Sequence, residues 1–464
     1  MPVEVVRNGS GLPEPNADPI KKALDEKLNI DITLTIYSSE YESQLAARIA
    51  GNDYPDLFKV SPLQMKQLAK EGFLLDLTDL YADILTPVKQ YQGEESLTYV
   101  LVDGKYYGFP SPQSSVTLSY NTLWVRGDWL ELLGLEVPST LEELKTVALA
   151  FVNDDPDGNG SDDTVGLSGS YTSAFDTIFG AYGIGRPGTF YARDGQLICS
   201  FYEEEFPTAL AYIRDLVQSG AVDSEVWAGL NSSFTREKAI QGRTGLMEFS
   251  WSELVKDEYL EQMAAINPDT EWVQIRPFDG PAAKTYDGVQ DIGTPSSIFA
   301  MAAALEQPRI DKVIEIVNYL ATPEGSNLTK YGIEGVNFNI VDGKPVRISE
   351  TSFNDIGHVW LYQFLGRQPE AEYLGVRFPN QQEYINFVDT QPRIWGLSGF
   401  ISIPEGYNLA DAQRFADEEY VKFCTGERPL EEYDEFLEEL NTTFGYAQYY
   451  EHAKAELAQL GVLD

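Results

Sequence analysis

Across residues 1–80 the spacing of apolar positions alternates between two periods. Residues 3–7 read as a short strand, and 18–28 place Ile20, Ala23, Leu24 and Leu28 on one helical face. Ile30, Ile32, Leu34 and Ile36 then alternate with polar neighbours, as strand residues do when one face is buried. Tyr41, Leu45 and Ile49 form the next helical stripe, followed by a strand over 56–60 and a helix over 65–71. This β-α-β-α-β order predicts a parallel sheet with helices on its faces. Ligands of such sheets sit beyond the carboxyl ends of the strands, which here are Asn8 to Gly11, Ser38 to Tyr41, and Ser61.

Farther along, Asp103-Gly104 within 100–109 is a hairpin signal, and a strand-like stretch follows over 116–120. Helical patterns resume at 126–133 and 141–152, the latter opened by Thr140 with Glu143 three residues on, a capping box. A helix near 207–219, a strand over 245–249 and a linker over 288–295 come next. Residues 309–321 read as a helix rejoining the first lobe. A turn-rich stretch, 331–345, carries a second hairpin signal, Asp342-Gly343, and is expected to cross back. The expected division is a first α/β lobe of 1–112 plus 293–335 and a second of 113–292 plus 336–464. Hinges are expected near 110–116, 288–295 and 331–345. The longest apolar run, Ile298 to Leu305, is far short of the roughly 20 residues that cross a bilayer. The chain opens on a strand pattern, so an export signal is expected to have been removed.

Charge narrows the partners. Lys and Arg number 33 against 73 Asp and Glu, a formal net charge of -40, which repels phosphate backbones and anionic lipid headgroups. Nucleic acid is thereby excluded, and a membrane enters only through an anchor. Two cysteines, Cys199 and Cys424, form no CxxC pattern, and two histidines, His358 and His452, sit in no HExxH motif. Gly183, Gly185 and Gly188 match GxGxxG, but a hairpin pattern follows where a dinucleotide site needs a helix.

The sharpest local motif runs from Asp155 to Asp163. A calcium loop draws oxygen ligands from alternate positions while a glycine turns the chain. Asp155, Asp157, Asn159, the Ser161 carbonyl and Asp163 occupy those positions, with Gly160 at the turn and Gly166 where a bidentate Glu normally stands. The expectation is a structural calcium ion, with a solvated acidic turn as the alternative. Aromatics are the second signal: 7 Trp, 27 Tyr and 23 Phe supply flat apolar platforms that suit the C–H faces of sugar rings. Most belong to the core. Trp251 stands apart, directly after the 245–249 strand, where a pocket would open.

The blocks Gly51 to Phe58, Asp103 to Pro110, Arg126 to Leu135, Asp155 to Gly166 and Gly332 to Phe338, in that order and spacing, resemble the family 1 extracellular solute-binding proteins. These are substrate receptors of bacterial ABC sugar importers, and the likeness extends to their long LipO-like lipoprotein subgroup. The resemblance implies a two-lobed periplasmic-binding-protein fold that closes on an oligosaccharide, delivers it to the permease and catalyses nothing. It implies a sugar-stacking role for Trp251. It also implies a monomeric, extracellular lipoprotein of the cell surface, anchored through a cysteine absent from this sequence. Asn8, Ser10, Ser39, Glu40 and Ser61 are the first-lobe candidates for bonding hydroxyls. Tyr171, Trp227 and Trp251 come from the second lobe, with Trp360 and Trp395 from the C-terminal region. A glycoside hydrolase, a calcium-stabilised adhesion module, and a receptor for peptides or other solutes are the alternative readings.

Overall fold

The computed structural model describes residues 1–111, 119–228, 232–291, 297–459 and 461–463. The chain divides into two compact units, Met1–Thr117 with Gly293–Pro379, and Leu118–Ile292 with Asn380–Asp464.

Unit 1 begins as the periodicity predicts. Strands β1 (Pro2–Asn8), β2 (Asp31–Tyr37) and β3 (Leu57–Val60) alternate with helices α1 (Pro19–Leu28), α2 (Tyr41–Ala50) and α3 (Pro62–Lys70). β1 pairs in parallel with β2 on one side and β3 on the other. Two later strands, Ile298–Ala300 and Phe109–Pro110, extend the sheet antiparallel beyond β3. α1 starts where Asp18 accepts the Ile20 and Lys21 amides and Pro19 presets the first turn. It buries Ile20, Leu24 and Leu28 against the sheet residues Val3, Val5 and Ile32. The Asp103-Gly104 turn forms as expected between Leu101–Val102 and Lys105–Tyr106.

Unit 2 contains two four-stranded sheets. In the first, Thr244–Ser250 pairs antiparallel with Asn121–Arg126 and parallel with Val165–Ser168. In the second, Ile394–Gly396 lies between Phe190–Arg193 and Val289–Asp291. Helix Leu141–Asn153 opens with the Thr140–Glu143 capping box, and its Phe151 packs edge-on to Trp129. Trp129, 1% exposed, also lies 4.5 Å from the Arg126 guanidinium carbon. The C-terminal helices Leu409–Thr425, Tyr433–Thr442 and Tyr446–Gln459 add Phe415, Phe423, Phe436 and Tyr446 to this unit's core. Cys199 and Cys424 are free and buried. Among the described residues no helix is long and apolar enough to cross a membrane.

The segment 336–379, expected in the second lobe, belongs to unit 1. Arg7 donates to the carbonyls of Trp360 and Leu361, while His358 and Tyr362 bond the buried Asp18 carboxylate. The expected hinge at 331–345 is therefore interior to unit 1. It holds the end of helix Pro323–Tyr331 and the hairpin Phe338–Val341 with Lys344–Arg347, turned by Asp342 and Gly343. Its Asn337 amide donates to the Ser352 carbonyl, a bond within the same unit. The return to unit 2 comes instead after Pro379. Of the other expected hinges, residues 112–116 and 292–295 lie outside the described residues, as do 116–118 of the expected strand; 289–291 form a strand of unit 2.

Candidate ligand-binding site

In unit 1 the carboxyl ends of β1, β2 and β3 carry the expected polar groups. Asn8, Ser10, Ser39 and Glu40 are exposed. Ser61 is spoken for: its hydroxyl accepts the Gln64 amide as the cap of α3, and Gln64 returns the bond to the Ser61 amide. Trp360 joins this end of unit 1, half-buried, with the Arg7 guanidinium carbon 4.8 Å from its ring centroid. The loop leaving β1 must run close to it. A Cβ on Gly9 would meet Leu361 Cδ2 at 2.6 Å and Trp360 Cη2 at 3.0 Å, so a side chain there would have to displace them.

Sequence reasoning missed two cations here. Lys59, next to the last residue of β3, is half-buried and its Nζ donates to Asn8 Oδ1 at 3.1 Å. Burial and then the neighbouring Arg7 bring its pKa down to about 8. Arg7 is 5% exposed, and burial lowers it to about 10. The readable signal was a basic residue next to the end of each of two apolar strands, β1 and β3.

In unit 2, Trp251 is 0% exposed. The Thr244–Ser250 strand does not end in an open mouth. It turns at once into the short helix Trp251–Leu254, the Trp251 amide donates to the Tyr120 carbonyl, and the Tyr120 ring stacks on the indole at 5.6 Å. Trp251 is therefore a packing residue. Tyr171 follows the carboxyl end of Val165–Ser168 in a left-handed conformation (φ 52°), with its hydroxyl donating to the Asp417 carbonyl. Trp227 meets Tyr171 edge-on and stacks on Phe175 at 5.5 Å, so both are half-buried members of one aromatic cluster. Trp395 is different. Of the seven tryptophans it is the most exposed, at 42%, in mid-strand beside Gln290.

Near Trp395 lies a buried polar network that sequence patterning did not reveal. Arg393 pairs with the fully buried Asp287 at 2.5 Å, and Arg186 links Asp176 to Asp291 at 2.9 and 2.8 Å. Thr177 donates to Glu248. Burial, reinforced by the charges of Asp287 and Asp176, pushes the Glu248 carboxyl well above its ordinary range. Among the described residues Ser402, His452 and Glu456 form a serine–histidine–glutamate cluster, but the same Nε2 faces both Ser402 and Glu456. The imidazole thus lacks the carboxylate on its second nitrogen that orients a general base in a triad.

The acidic loop of unit 2 turns through Asp155, Gly158 and Gly160, all at positive φ. Asp155 Oδ2 accepts the Gly160 amide, Asn159 Nδ2 donates to Asp157 and Asp163, and Arg243 stands 3.6 Å from Asp163. Asp155 Oδ1 is buried without a hydrogen-bond partner. Burial, then the close approach of the Asp155 carboxyl and the like charge of Asp163, raise Asp157 against the lowering bond from the Asn159 amide. Among the described residues no three acidic or imidazole groups converge as a metal cage. Gly166 supplies no twelfth ligand, because a Cβ there would strike the Ala221 and Ala148 carbonyls at 2.4 and 2.6 Å.

The profile of the "Bacterial extracellular solute-binding protein" family matches residues 11–327. This chain belongs to that family. Among curated relatives, the fructooligosaccharide ABC transporter substrate-binding protein FusA of Streptococcus pneumoniae is 28% identical over 231 residues, 46% of this chain and 43% of that protein. The lipoprotein LipO of Bacillus subtilis is 24% identical over 78% of this chain and 72% of its own length. Solved structures of FusA in complex with kestose (18% identity, TM-score 0.76, all of both chains) and of the alginate-binding protein AlgQ2 without calcium ion (16% identity, TM-score 0.75, 98% of this chain and 97% of that one) share the fold. A FusA structure is described as an EF-hand mutant. The architecture is thus that of the two-lobed solute-binding proteins, a family of extracellular binding proteins rather than enzymes, with sugar-binding relatives in ABC importers.

Proposed function

We propose that this solute-binding protein is the carbohydrate receptor of an ABC importer, capturing an oligosaccharide and handing it to the permease without chemical change. The supporting observation is Trp395: a large apolar face left 42% exposed on a strand beside a hydrogen-bonded polar network, the combination that sugar rings need. Tyr171 and the exposed Asn8, Ser10, Ser39 and Glu40 are the accompanying candidates for hydroxyl contacts. Calorimetry with a glycan panel tests the reading, with peptides and amino acids as the competing ligand class. Saturable binding of a glycan that is recovered intact supports it. Binding of peptides alone, or release of cleaved sugar, overturns it. Placement at the cell surface through a lipid anchor belongs to the same reading and is tested by fatty-acid labelling in the source cell.

The reading includes a structural calcium ion in the 155–163 loop. The donors are hard oxygens, and Asp155 Oδ1 is a buried carboxylate oxygen with no hydrogen-bond partner, as a cation ligand would be. The residues that would hold the ion are Asp155, Asp157, Asn159, the Ser161 carbonyl and Asp163; its role would be to neutralise their mutual repulsion. A chelator should lower the melting temperature by mass action, and Asp157→Ala should abolish that sensitivity. An identical melting curve with and without chelator, in protein that metal analysis shows to be calcium-free, contradicts the assignment.

A further inference from the structure

Unit 1 carries two adjacent cations with no anion beside either among the described residues. The register that sets Val6 next to Phe58 brings Arg7 next to Lys59. Pairings of Arg7 with Ile36, Lys59 with Phe299, and Phe299 with Phe109 complete one row across the sheet: Ile36, Arg7, Lys59, Phe299, Phe109. Two like charges thus sit side by side between apolar residues. Among the described residues every hydrogen-bond partner of their side chains is neutral. Arg7 donates from Nε to the Asn8 carbonyl and from Nη1 to the Trp360 and Leu361 carbonyls, at 3.2, 3.1 and 3.0 Å. Lys59 has the Asn8 side-chain oxygen.

This differs from the other buried arginines, although the buried Lys330 likewise bonds a carbonyl rather than a carboxylate. The other buried arginines are paired, Arg126 with Asp128 and Arg393 with Asp287. With 73 acidic residues against 33 basic ones, a cation is far more easily paired than left alone. An unpaired buried charge is costly, and a second like charge beside it adds to the cost. An anion arriving from solution would offset both. The Lys59 ammonium is the group that can reach it, because its bond to Asn8 lies at the exposed carboxyl end of β1. Arg7, with its Nε and Nη1 bonds already directed at carbonyls, supplies the field behind.

We infer that Lys59, backed by Arg7, recognises the negative charge of an acidic sugar, so that the ligand of this receptor is a carboxylate-bearing oligosaccharide. The inference rests on the carbohydrate-receptor reading and narrows it. The neighbours fit such a ligand: Asn8 and Ser10 can bond hydroxyls next to the carboxylate, and Trp360 flanks the same strand end. The groups that face Lys59 are Arg7 and Asn8 of β1, Phe299 beyond β3, and Tyr41 of α2, whose hydroxyl donates to the Lys59 carbonyl.

The test is calorimetry on the whole chain with a panel of uronate oligosaccharides, each beside its methyl ester, which has the same shape without the charge. At pH 7 the acid form of the cognate oligomer should bind about tenfold or more tightly than its ester, the difference expected for a charge-assisted over a neutral hydrogen bond. That preference should fade as pH rises through about 8, where free Lys59 loses its proton. Lys59→Met should bring the two forms to within about twofold, and Lys59→Arg should restore the preference. Lys59→Met removes a half-buried charge, so its melting temperature should not fall; Lys59→Gln serves as a second variant. Equal binding of acid and ester by the unaltered chain overturns the inference while leaving a carbohydrate receptor standing. So does a preference that survives in both Lys59→Met and Lys59→Gln. Acetate or sulfate binding as tightly as the oligomer would show a bare anion site and overturn the sugar assignment. Binding of no glycan, acidic or neutral, overturns the receptor reading itself.

Discussion

Trp251 and Trp395 make opposite predictions from the same residue type. Trp251 is enclosed and stacked on Tyr120, so Trp251→Ala leaves a large cavity and should destabilise unit 2 by about 3–5 kcal/mol. Trp395 gives little to packing. Trp395→Ala should leave the melting temperature near that of the unaltered chain while weakening glycan binding by about 1–3 kcal/mol, the range of a lost stacking contact. Melting curves and calorimetry on the two variants check both; unchanged affinity in a folded Trp395→Ala would move the platform to Tyr171. Sequence pointed to Trp251 because it follows a strand, but the covering ring, Tyr120, is 131 positions away in the chain, at the end of the strand-like stretch 116–120, and nothing local sets the two side by side. Glu248 carries a third residue-scale prediction. Its carboxyl is raised in the folded state, so the folded chain holds more protons than the unfolded one above about pH 4.5, and stability falls as pH rises from there. Glu248→Gln keeps an acceptor for Thr177 and should raise the melting temperature at pH 7 while flattening this dependence; a lower melting temperature there would contradict it.

At the scale of elements, Asp18 joins three parts of unit 1. It caps α1 through the Ile20 and Lys21 amides and also binds the His358 ring and the Tyr362 hydroxyl, at 3.0 and 2.6 Å. Burial pushes its carboxyl up, but the bonds from His358, Tyr362 and the Lys21 amide outweigh it and hold the group below the ordinary value. A depressed carboxylate contributes stability above its unfolded pKa, and that contribution is lost as pH falls below about 4. Asp18→Ala should cost about 2–4 kcal/mol, combining a lost cap with a buried hydroxyl left without its acceptor. Urea denaturation at pH 7 checks the value, and the same titration near pH 3 should show a smaller difference. The Thr140–Glu143 box was legible because it is written within four residues. The assignment of 336–379 was not. Its hairpin reads alike in either lobe, and what fixes it in unit 1 are bonds from Arg7 and Asp18 that span more than 330 positions. The same holds for Lys59 and Arg7: each strand was read from its apolar alternation, but their adjacency exists only once β3 pairs with β1.

For the whole molecule, capture by a two-lobed receptor requires a ligand whose affinity differs between arrangements of the units, since only differential affinity shifts a population. Saturation with a verified glycan should reduce the radius of gyration in solution scattering while the circular dichroism spectrum stays the same. A saturated receptor with unchanged scattering would contradict capture by closure.

The two units are also interleaved along the chain, and this bears on how the protein comes into being. During synthesis the outer edge of β3 has no partner until Ile298–Ala300 emerges, and that late strand alone connects Phe109–Pro110 to the sheet. Phe190–Arg193 likewise waits for Ile394–Gly396 before it is joined to Val289–Asp291. For most of its translation the nascent chain therefore carries two unfinished sheets with open apolar edges, the condition in which chaperones bind and stray strands pair wrongly. Shortening the chain from its C-terminal end should then be tolerated at neither unit. Loss of everything after residue 390 leaves the second sheet of unit 2 in two pieces, and loss of everything after 297 leaves β3 as an exposed edge. Completion of the second sheet of unit 2 thus waits on Ile394–Gly396, which favours hold-back of folding by bound chaperones until that strand has been delivered.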